Sequence, residues 1–110
     1  MTPESHLLFV YGTLLDPGVR RYVFGRDPGG VPDGLPGYVR HPGRVAGKYD
    51  AVLPEAGGAP VPGLRLEITA EELGRADAYE TGLYRREQLP LASGHRAWVY
   101  LETGLETAPE

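Results

Sequence analysis

The apolar positions of the chain follow a strand-like repeat over most of its length. Residues 7–11 form an unbroken apolar run, which predicts a strand buried on both faces. Residues 61–69 alternate apolar and polar side chains, which predicts a half-buried strand. Further strands are predicted over residues 38–40, 49–53, 84–91 and 96–102. Ser93 and Gly94 mark a turn between the last two strands, and residues 26–36 are predicted to be loop.

The first helix is predicted by signals at both of its ends. Asp16 followed by Pro17 is typical of a helix start, with a capping side chain and then proline at the first helical position. Two valines four residues apart follow, and Gly25 can end the helix in the left-handed conformation. The sequence therefore predicts a short helix over residues 17–24.

The second helix begins after a capping box. Thr69 is followed three residues later by Glu72, so each side chain can bond the backbone N–H of the other residue. Gly82 lies just past the expected end. These signals predict a helix over residues 70–80.

Glu80 is the candidate acid/base of the chain. Leu73, Ala76 and Glu80 stand at i, i+3 and i+7 and share one helical face, the face expected to be buried. The polar side chains expected on other faces are Glu71, Glu72 and Arg75. Burial and the negative end of the helix dipole should both raise the pKa of the Glu80 carboxyl. A raised carboxyl pKa suits a group that takes and returns a proton near neutrality.

The same glutamate has a purely structural alternative. It could lie at the frayed end of a short helix, or pair with Arg85 or Arg86. Spacing alone does not separate these readings from the catalytic one.

Gly12, Thr13 and Leu14 form a candidate ligand-binding turn between the first strand and the first helix. Successive N–H groups in such a turn can hold an anion such as a carboxylate. The alternative is that Gly12 only meets a backbone requirement. Hydroxyl groups for the same cavity could come from three tyrosines, each of which could instead be a core or rim aromatic: Tyr11, Tyr84 and Tyr100. Trp98 is interpreted as a buried strand residue.

Composition indicates one small α+β domain. The chain has 110 residues, 41% of them hydrophobic, which suits a single domain over residues 1–110 with a structured part at about 6–103. Its 16 glycines and 11 prolines fall between apolar runs and are interpreted as turn residues. Many short strands with two short helices favour a closed or nearly closed sheet. No membrane helix or secretion signal is recognisable, so the cytoplasm is the expected location.

Several classes of function find no support in the residues. There is no cysteine, the net charge is −4, and the arginines are scattered, which argues against thiolate chemistry and nucleic-acid binding. Neither a phosphate loop nor a dinucleotide fingerprint occurs. His6, His41 and His95 lack zinc-ligand spacing, and neither Ser5 nor Ser93 lies in a nucleophile elbow. We therefore expect no metal, cofactor, nucleic acid or membrane partner.

Together these motifs resemble the gamma-glutamylcyclotransferase-like (AIG2-like) family. The similarity covers residues 8–102 in order: FVYGTLL, then VPGLRLEIT with its acidic helix, DAYETGLYRRE and the closing AWVYLE. The YGTL and D-x-Y-E motifs are fairly specific together. One departure is that the chain reads Tyr-Glu-Thr-Gly where Tyr-Glu-Gly is commoner, which displaces Gly82 by one place.

The resemblance implies a small mixed β-barrel flanked by short helices, with a cavity at its mouth. It implies that Tyr11, Gly12, Thr13 and Leu14 bind the γ-glutamyl part of a small substrate and that Glu80 is the acid/base. The expected reaction cyclises the γ-glutamyl group to 5-oxoproline and releases an amine, with no cofactor. The alternatives are a binding or regulatory module without turnover, or a related lyase or hydrolase of a small amide. The leaving amine and the oligomeric state are not indicated.

Overall fold

A computed structural model describes residues 5–80 and 82–103 of the chain. A turn of 3₁₀ helix, Thr13–Leu15, follows the first strand. The elements in chain order are β1 Ser5–Val10, α1 Pro17–Phe24, β2 Val31–Leu35, β3 Tyr38–Val45, β4 Tyr49–Pro54, β5 Val61–Thr69, α2 Ala70–Glu80, β6 Tyr84–Pro90 and β7 Arg96–Glu102. In these residues no helix is both long enough and apolar enough to cross a membrane.

The strands form a mixed five-stranded sheet and a separate two-stranded hairpin. The sheet has the order β2-β5-β1-β7-β6, and β3 pairs with β4 in the hairpin. Strand β1 lies in the middle, antiparallel to β5 and parallel to β7, as its unbroken apolar run predicts. The α+β class is therefore confirmed. The described strands form two sheets, however, and not one closed barrel.

The large sheet is covered on both faces. Leu8 and Val10 of β1 belong to a core with helices α1 and α2. Phe9 and Tyr11 point to the opposite face and belong to a second core that includes Val52 of β4. Because successive strand residues alternate between faces, one strand contributes to both cores. The end of β1 therefore lies between the helices and the hairpin.

The ends of α1 are those that the sequence predicts. The Asp16 side chain accepts a hydrogen bond from the Gly18 N–H at 2.8 Å, and Pro17 occupies the first helical position. Gly25 ends the helix with φ of 78°, a conformation that favours glycine. The predicted range of residues 17–24 is confirmed.

Helix α2 begins with the predicted reciprocal cap. The Glu72 N–H donates to Thr69 Oγ1 at 3.1 Å, and the Thr69 N–H donates to Glu72 Oε1 at 3.0 Å. Glu72, expected on a face other than the buried one, is nevertheless buried, with only 7% of its surface exposed. Arg26 donates two hydrogen bonds to its carboxylate, at 2.6 and 2.9 Å, and this pairing makes its burial tolerable.

The predicted loop over residues 26–36 contains strand β2, which the sequence analysis missed. This strand lies at the edge of the sheet and pairs with β5, with Leu35 opposite Val61. Its Gly and Pro content suggests a loop, but an edge strand tolerates proline. Strand β3 also extends beyond the predicted residues 38–40, to Val45. The position after Glu80 and the tail after Thr103 lie outside the described residues.

Candidate active site

A cavity of about 520 Å³ opens where β1 ends between the helices and the hairpin. All seven residues that the sequence analysis assigned to a site contribute to its wall: Tyr11, Gly12, Thr13, Leu14, Glu80, Tyr84 and Tyr100. They come from β1, the turn after it, the end of α2, β6 and β7. Its volume suits a small-molecule ligand.

The turn at Gly12, Thr13 and Leu14 lines the cavity. The hydrogen bonds of the turn are donated farther along, by the Leu15 N–H to the Gly12 carbonyl at 3.0 Å and by the Asp16 N–H to the Thr13 carbonyl at 3.1 Å. The first N–H groups of a helical turn have no partner within it. In residues 5–80 and 82–103, no turn or cap hydrogen bond uses the N–H groups of residues 12–14.

Arg20 stabilises this turn through hydrogen bonds to its backbone carbonyls, a role that the sequence analysis did not predict. Its Nη1 donates to the carbonyls of Leu14 and Leu15 at 3.0 and 2.9 Å, and its Nε donates to Asp27 at 2.7 Å. The residue is 6% exposed. In the sequence, Arg20 is one half of a basic pair, and only the folded backbone places two carbonyls beside it.

Tyr79 and Thr13 connect the turn to helix α2. The Tyr79 hydroxyl lies 3.0 Å from Thr13 Oγ1, and both residues line the cavity. The link fixes the distance between the turn and the last helical turn of α2. That last turn carries Glu80.

The Glu80 carboxyl is partly buried in the cavity wall. Burial raises its pKa to about 7, and the negative charge of nearby Asp77 adds to the rise. The predicted rise of the pKa is therefore found, with Asp77 as its second cause. Burial and the charge of Asp77 account for this pKa shift, with no contribution from a hydrogen bond among the described residues.

The arginines that could have paired with Glu80 have other carboxylate partners. Arg86 donates to both oxygens of Asp77 at 2.8 and 3.0 Å, and its guanidinium lies over the Trp98 ring. Arg85 donates to Glu87 at 2.8 Å. Trp98 lies in β7, as interpreted from the sequence, but it is only partly buried.

The raised pKa of Glu80 has a measurable effect on folding. A folded-state pKa above the ordinary carboxyl value contributes stability that is complete below about pH 4.5 and lost as the pH rises through about 7. Glu80→Gln removes this titration. The free energy of unfolding of the variant minus that of the parent should therefore be larger at pH 8.5 than at pH 5. We expect the increase to be roughly 1 to 3 kcal/mol, because the carboxyl is partly exposed to solvent. Urea unfolding of both proteins at the two pH values measures the gain, and a pH-independent difference would contradict it.

The three predicted tyrosines all carry hydrogen bonds within the protein. The Tyr11 hydroxyl donates to the Tyr100 carbonyl at 2.6 Å, and the Tyr84 hydroxyl donates to the Asp50 carbonyl at 2.7 Å. The Tyr100 hydroxyl donates to Asp77 Oδ1 at 2.6 Å. The same tyrosines therefore belong to the cavity wall and to the structure that supports it.

The hairpin β3–β4 adds a charged side to the cavity that the sequence analysis missed. Arg40, Lys48 and Asp50 all line the cavity. Arg40 Nε lies 3.4 Å from Asp50 Oδ2, and Arg40 Nη1 donates to the Tyr11 carbonyl at 3.3 Å. These residues lie about thirty positions from any predicted site residue, so no local pattern marks them.

Ser93 and His95 lie together away from the cavity. The Ser93 Oγ is 2.6 Å from Asp33 Oδ2 and 2.9 Å from His95 Nδ1. A serine nucleophile requires a histidine that accepts the proton of its hydroxyl. Here the Ser93 hydroxyl donates instead to the Asp33 carboxylate. That carboxylate also forms an ion pair with Arg65 at 2.7 Å. This cluster connects β2 to the turn between β6 and β7. Among the described residues, here or elsewhere, no group of three acidic or histidine side chains could hold a metal ion.

Comparison with known proteins identifies relatives of the whole fold. Residues 8–109 match the family model described as gamma-glutamyl cyclotransferase, AIG2-like. AIG2-like protein A of Arabidopsis thaliana is 34% identical over 84 residues, which are 76% of this chain and 50% of that protein. The chain thus spans about half the length of this relative.

Solved structures show the same fold. A solution structure of an Arabidopsis thaliana protein superposes with a TM-score of 0.81 at 24% identity, covering 96% of this chain and 66% of that one. A structure described as a gamma-glutamyl cyclotransferase superposes with a TM-score of 0.73 at 19% identity. The superposition covers 91% of this chain and 68% of that one.

Proposed function

We propose that this chain, which belongs to the gamma-glutamyl cyclotransferase, AIG2-like family, cyclises the γ-glutamyl group of a small γ-glutamyl amine or amide to 5-oxoproline. The observation that carries the proposal is Glu80, a partly buried carboxyl without a protein partner among the described residues, in the wall of a cavity that also contains the turn at Gly12. The cytoplasmic location expected from the sequence remains part of this proposal.

In this reaction the substrate supplies its own nucleophile. The α-amine of the γ-glutamyl group attacks its own γ-carbonyl, a five-membered lactam forms, and the carbon–nitrogen bond to the leaving amine breaks. The attacking nitrogen loses two protons on going from ammonium to lactam, and the leaving nitrogen gains two on going from amide to ammonium. Protons and charge therefore balance.

Glu80 would move these protons. Its carboxylate accepts a proton from the α-ammonium, and the carboxylic acid then gives a proton to the departing nitrogen. A pKa of about 7 suits both steps near neutral pH because either form of the carboxyl is accessible.

The turn at Gly12, Thr13 and Leu14 would hold the α-carboxylate of the substrate through its backbone N–H groups. Thr13 is also anchored to Tyr79 beside Glu80. This arrangement would keep the substrate folded, with its amine near its own carbonyl, and such positioning supplies a large share of rate enhancement in cyclisations. Crystals soaked with glutamate or formate should show the anion at this turn.

A panel of γ-glutamyl compounds tests the proposal directly. The purified protein is incubated with γ-glutamyl amino acids, γ-glutamyl alkylamines and γ-glutamyl-lysine, and 5-oxoproline and the released amine are quantified by chromatography. We expect equal amounts of the two products from at least one compound. Two controls should give no cyclised product: the α-N-acetylated analogue, whose nucleophile is blocked, and the β-aspartyl analogue, which would have to form a four-membered ring.

Other outcomes identify the alternatives. Release of free glutamate in place of 5-oxoproline would indicate a hydrolase. Binding of γ-glutamyl ligands by isothermal titration, with no product over hours, would indicate a binding module. Either result would overturn the proposed cyclisation.

A further inference from the structure

The cavity has room for more than the γ-glutamyl group that Glu80 and the turn at Gly12 would hold. Its volume of about 520 Å³ lies in the range of pockets that take drug-sized ligands. Buried side chains such as Leu14 and Tyr100 line its interior. Exposed residues that line it mark its mouth, and they include Lys48, Tyr49 and Leu83. The leaving amine of a substrate would extend toward this mouth.

Lys48 brings an unpaired positive charge to the mouth. In residues 5–80 and 82–103 it forms no ion pair and no side-chain hydrogen bond. The other cation of the hairpin, Arg40, lies 3.4 Å from Asp50 Oδ2 and donates to the Tyr11 carbonyl at 3.3 Å. Asp50 Oδ1 also accepts a hydrogen bond from the Gly43 N–H at 3.2 Å. Arg40 and Asp50 therefore neutralise each other, and the charge of Lys48 remains available to a ligand.

A tight turn fixes the position of Lys48 between β3 and β4. The Lys48 N–H donates to the Val45 carbonyl at 3.0 Å, and the two residues between them, Ala46 and Gly47, have φ of 55° and 69°. Positive φ at both central positions is typical of a type I′ turn. Ala46 is the one non-glycine residue with positive φ in the described part of the chain, and alanine adopts this conformation at an energetic cost. The defined backbone of this turn holds Lys48 beside the cavity.

The γ-glutamyl group would match the other charges of the site. Its α-carboxylate would face the turn at Gly12, and its α-ammonium would face the Glu80 carboxylate, an arrangement that rests on the proposed function. Lys48 is then the charge that the γ-glutamyl group leaves unmatched. It attracts an anionic group on the leaving amine and repels a second cation.

We propose that Lys48 is a specificity-determining residue for the leaving amine, which favours amines that carry a carboxylate and disfavours amines that carry a second ammonium group. Specificity is a difference between affinities, and like charges placed together contribute to it as much as opposite charges do. Tyr49 and Leu83, 38% and 39% exposed, supply apolar surface for the carbon chain between the amide and the end group. Diamines and polyamines are therefore poor leaving groups for this site.

Three γ-glutamyl compounds with the same spacer and different end groups test the inference. Their leaving amines are 4-aminobutyrate, butylamine and 1,3-diaminopropane, which end in a carboxylate, a methyl group and an ammonium group. Affinities are measured by isothermal titration in the Glu80→Gln protein, so that no compound is consumed. We expect the carboxylate compound to bind about three- to fivefold more tightly than the butylamine compound, and the ammonium compound to bind more weakly by a similar factor, the usual size of a solvent-exposed charge interaction.

Substitutions of Lys48 in the same protein should change this order. Lys48→Gln should abolish both differences, and Lys48→Glu should reverse the order of the two charged compounds. Affinity for the butylamine compound should stay unchanged, which also shows that the variants remain folded. Arg21→Glu is the matched control, because Arg21 is exposed on α1 and does not line the cavity. It changes the net charge as much as Lys48→Glu does but should keep the original order.

Each other outcome has a definite meaning. The inference is overturned if the three compounds bind equally, if Lys48→Gln keeps the original differences, or if Arg21→Glu alters the order as Lys48→Glu does. Failure of all three compounds to bind would overturn the inference together with the proposed function. A charge preference that depends on Lys48, in a protein whose parent forms no 5-oxoproline, would support the inference and count only against the cyclisation.

Discussion

Replacing Glu80 with glutamine is expected to reduce 5-oxoproline formation by a factor of about 10² to 10⁴ in kcat, the usual contribution of general acid–base catalysis. Glutamine keeps the size and hydrogen-bonding capacity of the side chain but cannot exchange a proton. Affinity for a γ-glutamyl ligand should change little, because the turn at Gly12 is untouched. Steady-state kinetics on the best substrate, with ligand affinity measured separately, checks both parts.

Glu71→Gln is the matched control for this variant. Glu71 lies on the same helix, is exposed, and pairs with Arg75 at 2.9 Å. Its replacement should leave kcat within a few-fold of the parent. In the parent, kcat/KM should rise with pH through about 7 as Glu80 becomes the carboxylate base. A Glu80→Gln protein that turns over within a few-fold of the parent would show that Glu80 is not the catalyst.

Replacing Gly63 with alanine is expected to lower the free energy of unfolding by about 1 to 3 kcal/mol, the usual effect of overpacking a core. Gly63 lies inside β5, and an added Cβ would collide with the Val10 carbonyl and lie 2.6 Å from Cζ of the Phe9 ring. Phe9 is 1% exposed, and the Val10 carbonyl belongs to the backbone of the central strand of the sheet. Because Val10 directly precedes Tyr11 and Gly12, the strain should also reduce ligand affinity.

Gly58→Ala provides the comparison for this substitution. A Cβ at Gly58 would meet no atom within 4 Å, and the residue does not adopt the left-handed conformation. Urea unfolding of both variants should therefore show a large shift for Gly63→Ala and a shift within about 0.5 kcal/mol for Gly58→Ala. Equal stability of the two variants would contradict the packing argument.

Gly63 is a position where the role expected from the sequence differs from the role that the structure shows. The sequence pattern predicts that the glycines are turn residues, and Gly25 and Gly82 do adopt the left-handed conformation. Gly63 instead has no side chain because a neighbouring strand passes too close. That requirement comes from β1, more than fifty residues away in sequence, and leaves no local signal.

Features that depend on a few neighbouring residues can be predicted from the sequence alone. The limits of α1 and α2 follow from caps formed within three or four positions, and the central place of β1 follows from its unbroken apolar run. The helical face that Glu80 shares with Leu73 and Ala76 predicts that its side chain is buried. The resemblance to the family predicts that Glu80 and the turn at Gly12 belong to the same site.

Which charged groups form pairs, and which remain available to a ligand, depends on how the elements pack in the folded chain. Glu72, Asp77 and Glu80 all lie on helix α2. Arg26 forms an ion pair with Glu72, and Arg86 forms an ion pair with Asp77. Local pattern assigns these carboxylates to a cap or to a helical face, but it does not identify their arginine partners, which come from other elements. Strand β2 was likewise beyond local pattern, and so was the position of Lys48 at the cavity, although parts of both hairpin strands are predicted from the sequence. The energy of strand pairing comes from packing that forms only in the complete fold.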